Sequence, residues 1–169
     1  MSMEVNLSDF ASSHELIAKL TRARPSECSC NACVEMCRRT PCLGTPEDIE
    51  RFIKLGLVKF LQPTEWAAGL AYGFPVVRMF QIRTVSQGCP FLNDNRCILH
   101  DLRLKPTEGV LANCKPHYNS ITEWPSIAVA LTWLMPANRD RILGISAAMK
   151  SEERRRAEDR GPQERGVKL

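Results

Sequence analysis

Cys28, Cys30, Cys33, Cys37 and Cys42 fall within the fifteen residues "CSCNACVEMCRRTPC", and Cys89, Cys97 and Cys114 follow downstream. Sulfur at this density can cross-link the chain, cycle between dithiol and disulfide, or hold a metal as thiolates. The eight cysteines are about 5% of 169 residues, below the roughly 8–10% of a short disulfide scaffold. The opening "MSMEVNLSDFASSHELIAKL" has neither a basic n-region nor an unbroken apolar h-region. A cytoplasmic location is therefore expected, where stable disulfides are rare. A thioredoxin-type reading of "CNAC", Cys30 to Cys33, needs a βαβ setting, and no strand pattern precedes the motif. Metal binding is the expectation that remains.

At about 100° per residue, spacings of three and four place Cys30, Cys33 and Cys37 on one helix face. The segment "SCNACVEMCRR" is helix-compatible, with Ser29 as its expected cap. Three thiolates there could hold a metal from one side, with Cys28 or Cys42 closing the set from a flanking loop. The competing reading is a core-facing stripe, since cysteine also behaves as a small hydrophobe; a core stripe would normally be Leu, Ile or Val. Cys89, Cys97 and Cys114 form a second group, near His100 and His117, either of which could ligate. Zinc takes four Cys or His ligands, and iron–sulfur clusters usually take four thiolates. The spacings do not separate the two. There is no glycine-rich phosphate loop, G-x-S-x-G elbow or H-E-x-x-H, and Asp94, Asp101 and Glu108 form no marked catalytic pair.

Four helices and a hairpin must position these residues. Ser8 to Leu20 carries a modest apolar stripe. "GTPEDIERFIKLGL" is the clearest helix start: Thr45 as N-cap, Pro46 at the first position, acids in the first turn, and Gly56 as C′. Residues Val76 to Val85 read as a strand. "GCPFLNDNRCILHD" reads as a small hairpin turning at "NDN", with Cys89 near one end and Cys97 on the return strand. "SIAVALTWLM", flanked by prolines, reads as a buried helix too short to cross a membrane. A last helix runs from near Asn138 into a charged stretch stopping by Gly161-Pro162. From Ser151 onward six basic residues stand beside five acids, the pattern of a solvated helix end rather than a nucleic-acid surface. The expected architecture is a mainly helical α+β fold in a single domain, residues 1–160, with a cysteine-rich core at 28–117 and a flexible tail at 161–169.

These residues resemble the YkgJ-type zinc/iron-chelating proteins, known for a C-x2-C-x2-C-C cluster near the N-terminus and a later segment similar to "CPFL…C-I-Y-E-x-R-P-x-x-C". "CSCNACVEMCRRTPC", "TPEDIERFIKLGL" and "GCPFLNDNRCILHDLRLKPTEGVLANC" stand in the corresponding places, from Cys28 to Cys114. There are departures: no adjacent Cys-Cys pair occurs, His100 replaces an aromatic residue, and "RLKPTEGVLANC" stretches the last motif. The resemblance implies a divergent metal-binding member. One or two metal ions are expected, zinc first and iron or an iron–sulfur cluster as the alternative. Cys30, Cys33 and Cys37 would ligate from the helix, and Cys42, Cys89, Cys97 and Cys114 would supply the rest, with Cys28 as an alternate. The role expected is structural or chelating. The alternatives are an iron–sulfur or iron-dependent enzyme, for which protein modification is the role the resemblance leaves open, and an adaptor for protein or nucleic acid using the basic tail.

Overall fold

The computed structural model describes residues 5–22, 30–86, 88–112 and 123–159. Cys28, Cys114, His117, Ser29 and the tail after Gly161 lie outside the described residues. Within them the fold is mainly helical α+β, as expected. Helix α1 spans Ser13–Thr21, starting later than the sequence suggests because Ser12 accepts from the Glu15 N–H as N-cap. Helix α2 is Asn31–Arg39, with Cys30 as N-cap, and buries no residue. Helix α3, Pro46–Lys54, has the expected start: a capping box between Thr45 and Asp48, with Pro46 in the first turn. Its stop is also as expected, Gly56 following at φ 73.

Strand β1, Leu61–Trp66, pairs antiparallel with β2, Val77–Ile82, from Leu61 opposite Ile82 to Trp66 opposite Val77. Strand β2 is thus shorter than the expected Val76–Val85, and its partner was not anticipated. The small hairpin joins β3, Leu92–Asn93, to β4, Arg96–Cys97. Asp94 and Asn95 turn it at φ 44 and 64, left-handed values that Asp and Asn tolerate better than most residues. Cys97 lies on the return strand, and Cys89 just precedes the hairpin. Short helices α4, Ile98–Asp101, and α5, Thr107–Leu111, follow. Helix α6, Pro125–Thr132, is buried along nearly its whole length, and α7 runs Arg139–Asp159.

The core gathers Leu16, Ile49, Phe52, Leu61, Ile82, Ile127 and Ile145 from α1, α3, both long strands, α6 and α7. A buried polar knot ties four of these helices together. Asn138 donates to Ser13 Oγ (2.9 Å) and the Thr132 carbonyl (2.8 Å), and accepts from Arg141 (2.7 Å). Ser13 and Arg141 then both bond Glu47 Oε1 on α3. The charged stretch from Ser151 is not wholly solvated: Glu152 is buried and ion-paired with Arg155 and Arg156. No helix among the described residues is long and apolar enough to cross a membrane.

Candidate functional site

The loop Pro41–Gly44 carries Cys42 and is held from three sides. Leu43 exchanges both backbone groups with Glu108: its N–H donates to Glu108 Oε2 (2.5 Å), and its carbonyl accepts from the Glu108 N–H (3.2 Å). Leu43 also makes an antiparallel bridge to Gln81 of β2. The Gly44 carbonyl accepts from the buried Trp133 indole at 2.9 Å. Glu108 is itself positioned by Asp48. That carboxylate caps α3 and also accepts from the Thr107 N–H (2.8 Å) and hydroxyl (2.6 Å), pinning the start of α5 against the start of α3. Gly109 lets the pieces meet: a methyl group there would lie 2.6 Å from Cys42 Sγ and 2.7 Å from Lys105 Cε.

The hairpin segment is docked on the other side, against the end of α2. The Cys89 N–H donates to the Cys37 carbonyl at 3.1 Å. Gly88, at φ 95, lies against the Arg38 backbone, and the Arg38 guanidinium bonds Asn95 in the turn. Cys37, Cys42 and Cys89 are thus brought into one neighbourhood from a helix end, a loop and the approach to a hairpin, and Cys97 pairs with Leu92, which bonds the Cys89 carbonyl. Burial pushes the Cys42 thiol well up, the Glu108 charge adds to this, and Lys105 opposes it. Burial likewise pushes Cys89 up to about 11, with a backbone bond from Phe91 acting against it and the charges of Cys37 and Cys97 reinforcing it. Burial also raises the Glu108 carboxyl to about 7, opposed by its bond from the Leu43 N–H. Cys42 and Cys89 are thus protonated thiols at neutral pH; a metal ligated by them would take the place of their protons.

Cys30 and Cys33 lie at the N-terminal end of α2 with their sulfurs 3.6 Å apart, and Cys33 lines one cavity with Cys37 and Cys42. His100 is exposed on α4, and Asp101 is held by Arg96 at 2.6 Å rather than serving a histidine. Among the described residues, no group of three or more His, Cys, Asp or Glu side chains is arranged to hold a metal ion. The donor chemistry suits zinc or iron; the described arrangement is not a preformed cage. Beside the inner thiols lies a cavity of about 530 Å³ whose lining includes Cys33, Met36, Cys37, Cys42, Trp66 and Glu108. Lys105, buried among these thiols, and Gly109 were not anticipated from the sequence. Their contacts cross more than sixty residues to Cys42, and no local pattern announces them. No family model, curated protein or solved structure matches the chain.

Proposed function

We propose that the chain is a metal-binding protein in which Cys37, Cys42, Cys89 and Cys97 hold one metal ion as thiolates, zinc before iron. The observation that carries this reading is the approach of three segments: the Cys89 N–H bonds the Cys37 carbonyl, Leu92, which bonds Cys89, pairs with Cys97, and Cys37 and Cys42 line one cavity. Metal binding to cysteines displaces their protons, so a four-thiolate site is assembled as the metal enters. Zinc would then link α2, the Cys42 loop and the hairpin, a structural or chelating role. The reading needs a reducing compartment such as the cytoplasm. Cys30 and Cys33 contribute no ligand in it. An iron or iron–sulfur enzyme is the second reading, favoured by the cavity beside Cys37, Cys42 and Glu108, which has room for a substrate.

Elemental analysis and an absorbance spectrum of untagged protein, purified without air, test both. The expected result is zinc with no visible bands; iron, sulfide and absorbance near about 400 nm would transfer the assignment to a cluster. Cys42→Ser and Cys97→Ser are each expected to weaken metal binding by at least about tenfold and to lower the melting temperature of the loaded protein. Protein without metal that fails to take up zinc or iron would overturn the proposal.

A further inference from the structure

Lys105 is buried, 8% exposed, and is the only cation so placed among the described residues. Its place in the chain accounts for this. Helix α4 starts directly after Cys97, and the Leu104 N–H closes it by donating to the Leu99 carbonyl at 2.8 Å. Helix α5 starts at Thr107 and is bonded through Glu108 to Leu43, beside Cys42. Lys105 stands on the short link between the two helices, so its backbone is fixed from the Cys97 side and from the Cys42 side. Its side chain turns inward. Lys105 Cε and Cys42 Sγ both lie within 2.7 Å of the point where a methyl group on Gly109 would sit, so they are close neighbours. Lys105 also shares one cavity wall with Cys37, Cys42 and Glu108. Its charge acts on Cys42 and Cys89 alike, favouring the thiolate of each.

We propose that Lys105 is the counter-charge of the metal centre assigned above to Cys37, Cys42, Cys89 and Cys97, a role that rests on that assignment. Its ammonium, held against Cys42, favours the loaded site over the empty one. Four thiolates around a divalent ion leave two negative charges in excess. Loading turns thiols into thiolates, so a fixed cation meets more negative charge in the loaded protein than in the empty one. The attraction is also stronger at a buried site than at the surface. Only that difference between the two states adds to affinity. Glu108 acts on Cys42 in the opposite direction, and a lysine on the same wall offsets its charge. The stem of Lys105 is already packed beside Gly109, so little side-chain freedom is left to lose when the metal enters.

The zinc affinity of the full chain, measured by competition with a chelator under reducing conditions, tests this in the parent, Lys105→Met and Lys105→Arg. Methionine keeps most of the stem and removes the charge, whereas arginine keeps the charge. Lys105→Met is expected to bind zinc at least about tenfold more weakly, with its metal-free form no less stable to denaturant than the metal-free parent. Lys105→Arg is expected to recover most of the lost affinity. Zinc bound by Lys105→Met as tightly as by the parent would overturn the role of Lys105 while leaving the four ligands standing. A metal-free Lys105→Met protein that is unfolded or clearly destabilised would also overturn it, and so would Lys105→Arg as weak as Lys105→Met, since the lysine would then act through packing. A parent that takes up no zinc fails at the ligand assignment itself, and the counter-charge falls with it.

Discussion

Gly109 is the residue on which the thiol cluster closes most tightly. Its missing side chain is occupied by Cys42 Sγ on one side and by the Lys105 methylenes on the other. Its backbone needs no left-handed conformation, so the requirement is space alone. Gly109→Ala should therefore destabilise the protein by overpacking, by about 1–3 kcal/mol, measured by chemical denaturation. Adding Cys42→Ala removes the sulfur that the new methyl meets, so the double variant should recover part of the loss, a coupling readable from a double-mutant cycle. Strict additivity would mean that Cys42 does not pack against α5 as described. Glu108 illustrates the same closeness by other means, since its carboxyl is raised to about 7 while bonded to Leu43, the residue next to Cys42.

At the scale of elements, what was legible depended on whether the cause was local. Helix α3 could be read at both ends, because Thr45, Pro46, Asp48 and Gly56 act within a few residues of themselves. The hairpin turn at Asp94 and Asn95 was legible for the same reason. Strand β1 was not: its two buried residues, Leu61 and Trp66, are an odd number of positions apart, so no period-two stripe forms. Pairing with β2 makes the strand. The cysteine cluster was visible in the sequence, but the segments that meet around it were not. Helical angles group Cys30, Cys33 and Cys37, whereas Cys30 leaves the helix as an extended N-cap and Cys37 is at the end where the hairpin docks. That docking turns on Gly88, whose φ of 95 and contact with the Arg38 backbone leave no room for a side chain. Gly88→Ala should cost at least about 2 kcal/mol through strain and displacement, and amide exchange should locate the effect. Faster exchange in α2 with α3 unchanged is expected; equal acceleration in both would show that α2 has no separate anchor.

Across the whole molecule, the C-terminal helix is fastened to the middle of the chain by polar bonds as well as by apolar packing. Helix α7 buries Ile145 and Met149, and the next position of that stripe is Glu152. Its carboxylate receives Arg155 through two nitrogens and Arg156 through one, each at 2.9 Å, and Arg156 also donates to the Lys59 carbonyl between α3 and β1 at 2.7 Å. The bond from Arg155, joined by that from Arg156, holds the Glu152 carboxyl down at about 2, from an ordinary value of 4.5. A carboxyl depressed by folding binds fewer protons in the folded state than in the unfolded one over that interval. Its contribution is therefore fully present above about pH 4.5, and it is lost as the pH falls through about 2. Glu152→Gln keeps the shape and removes the charge, so the variant should be less stable than the parent at neutral pH, and the difference should narrow steadily between pH 4.5 and 2. Melting temperatures of both proteins across that range measure it, in buffers of constant ionic strength because surface partners are screened by salt. A gap that stays constant with pH would mean that Glu152 acts through packing alone, and that α7 is fastened to the Val58–Phe60 turn by shape rather than by charge.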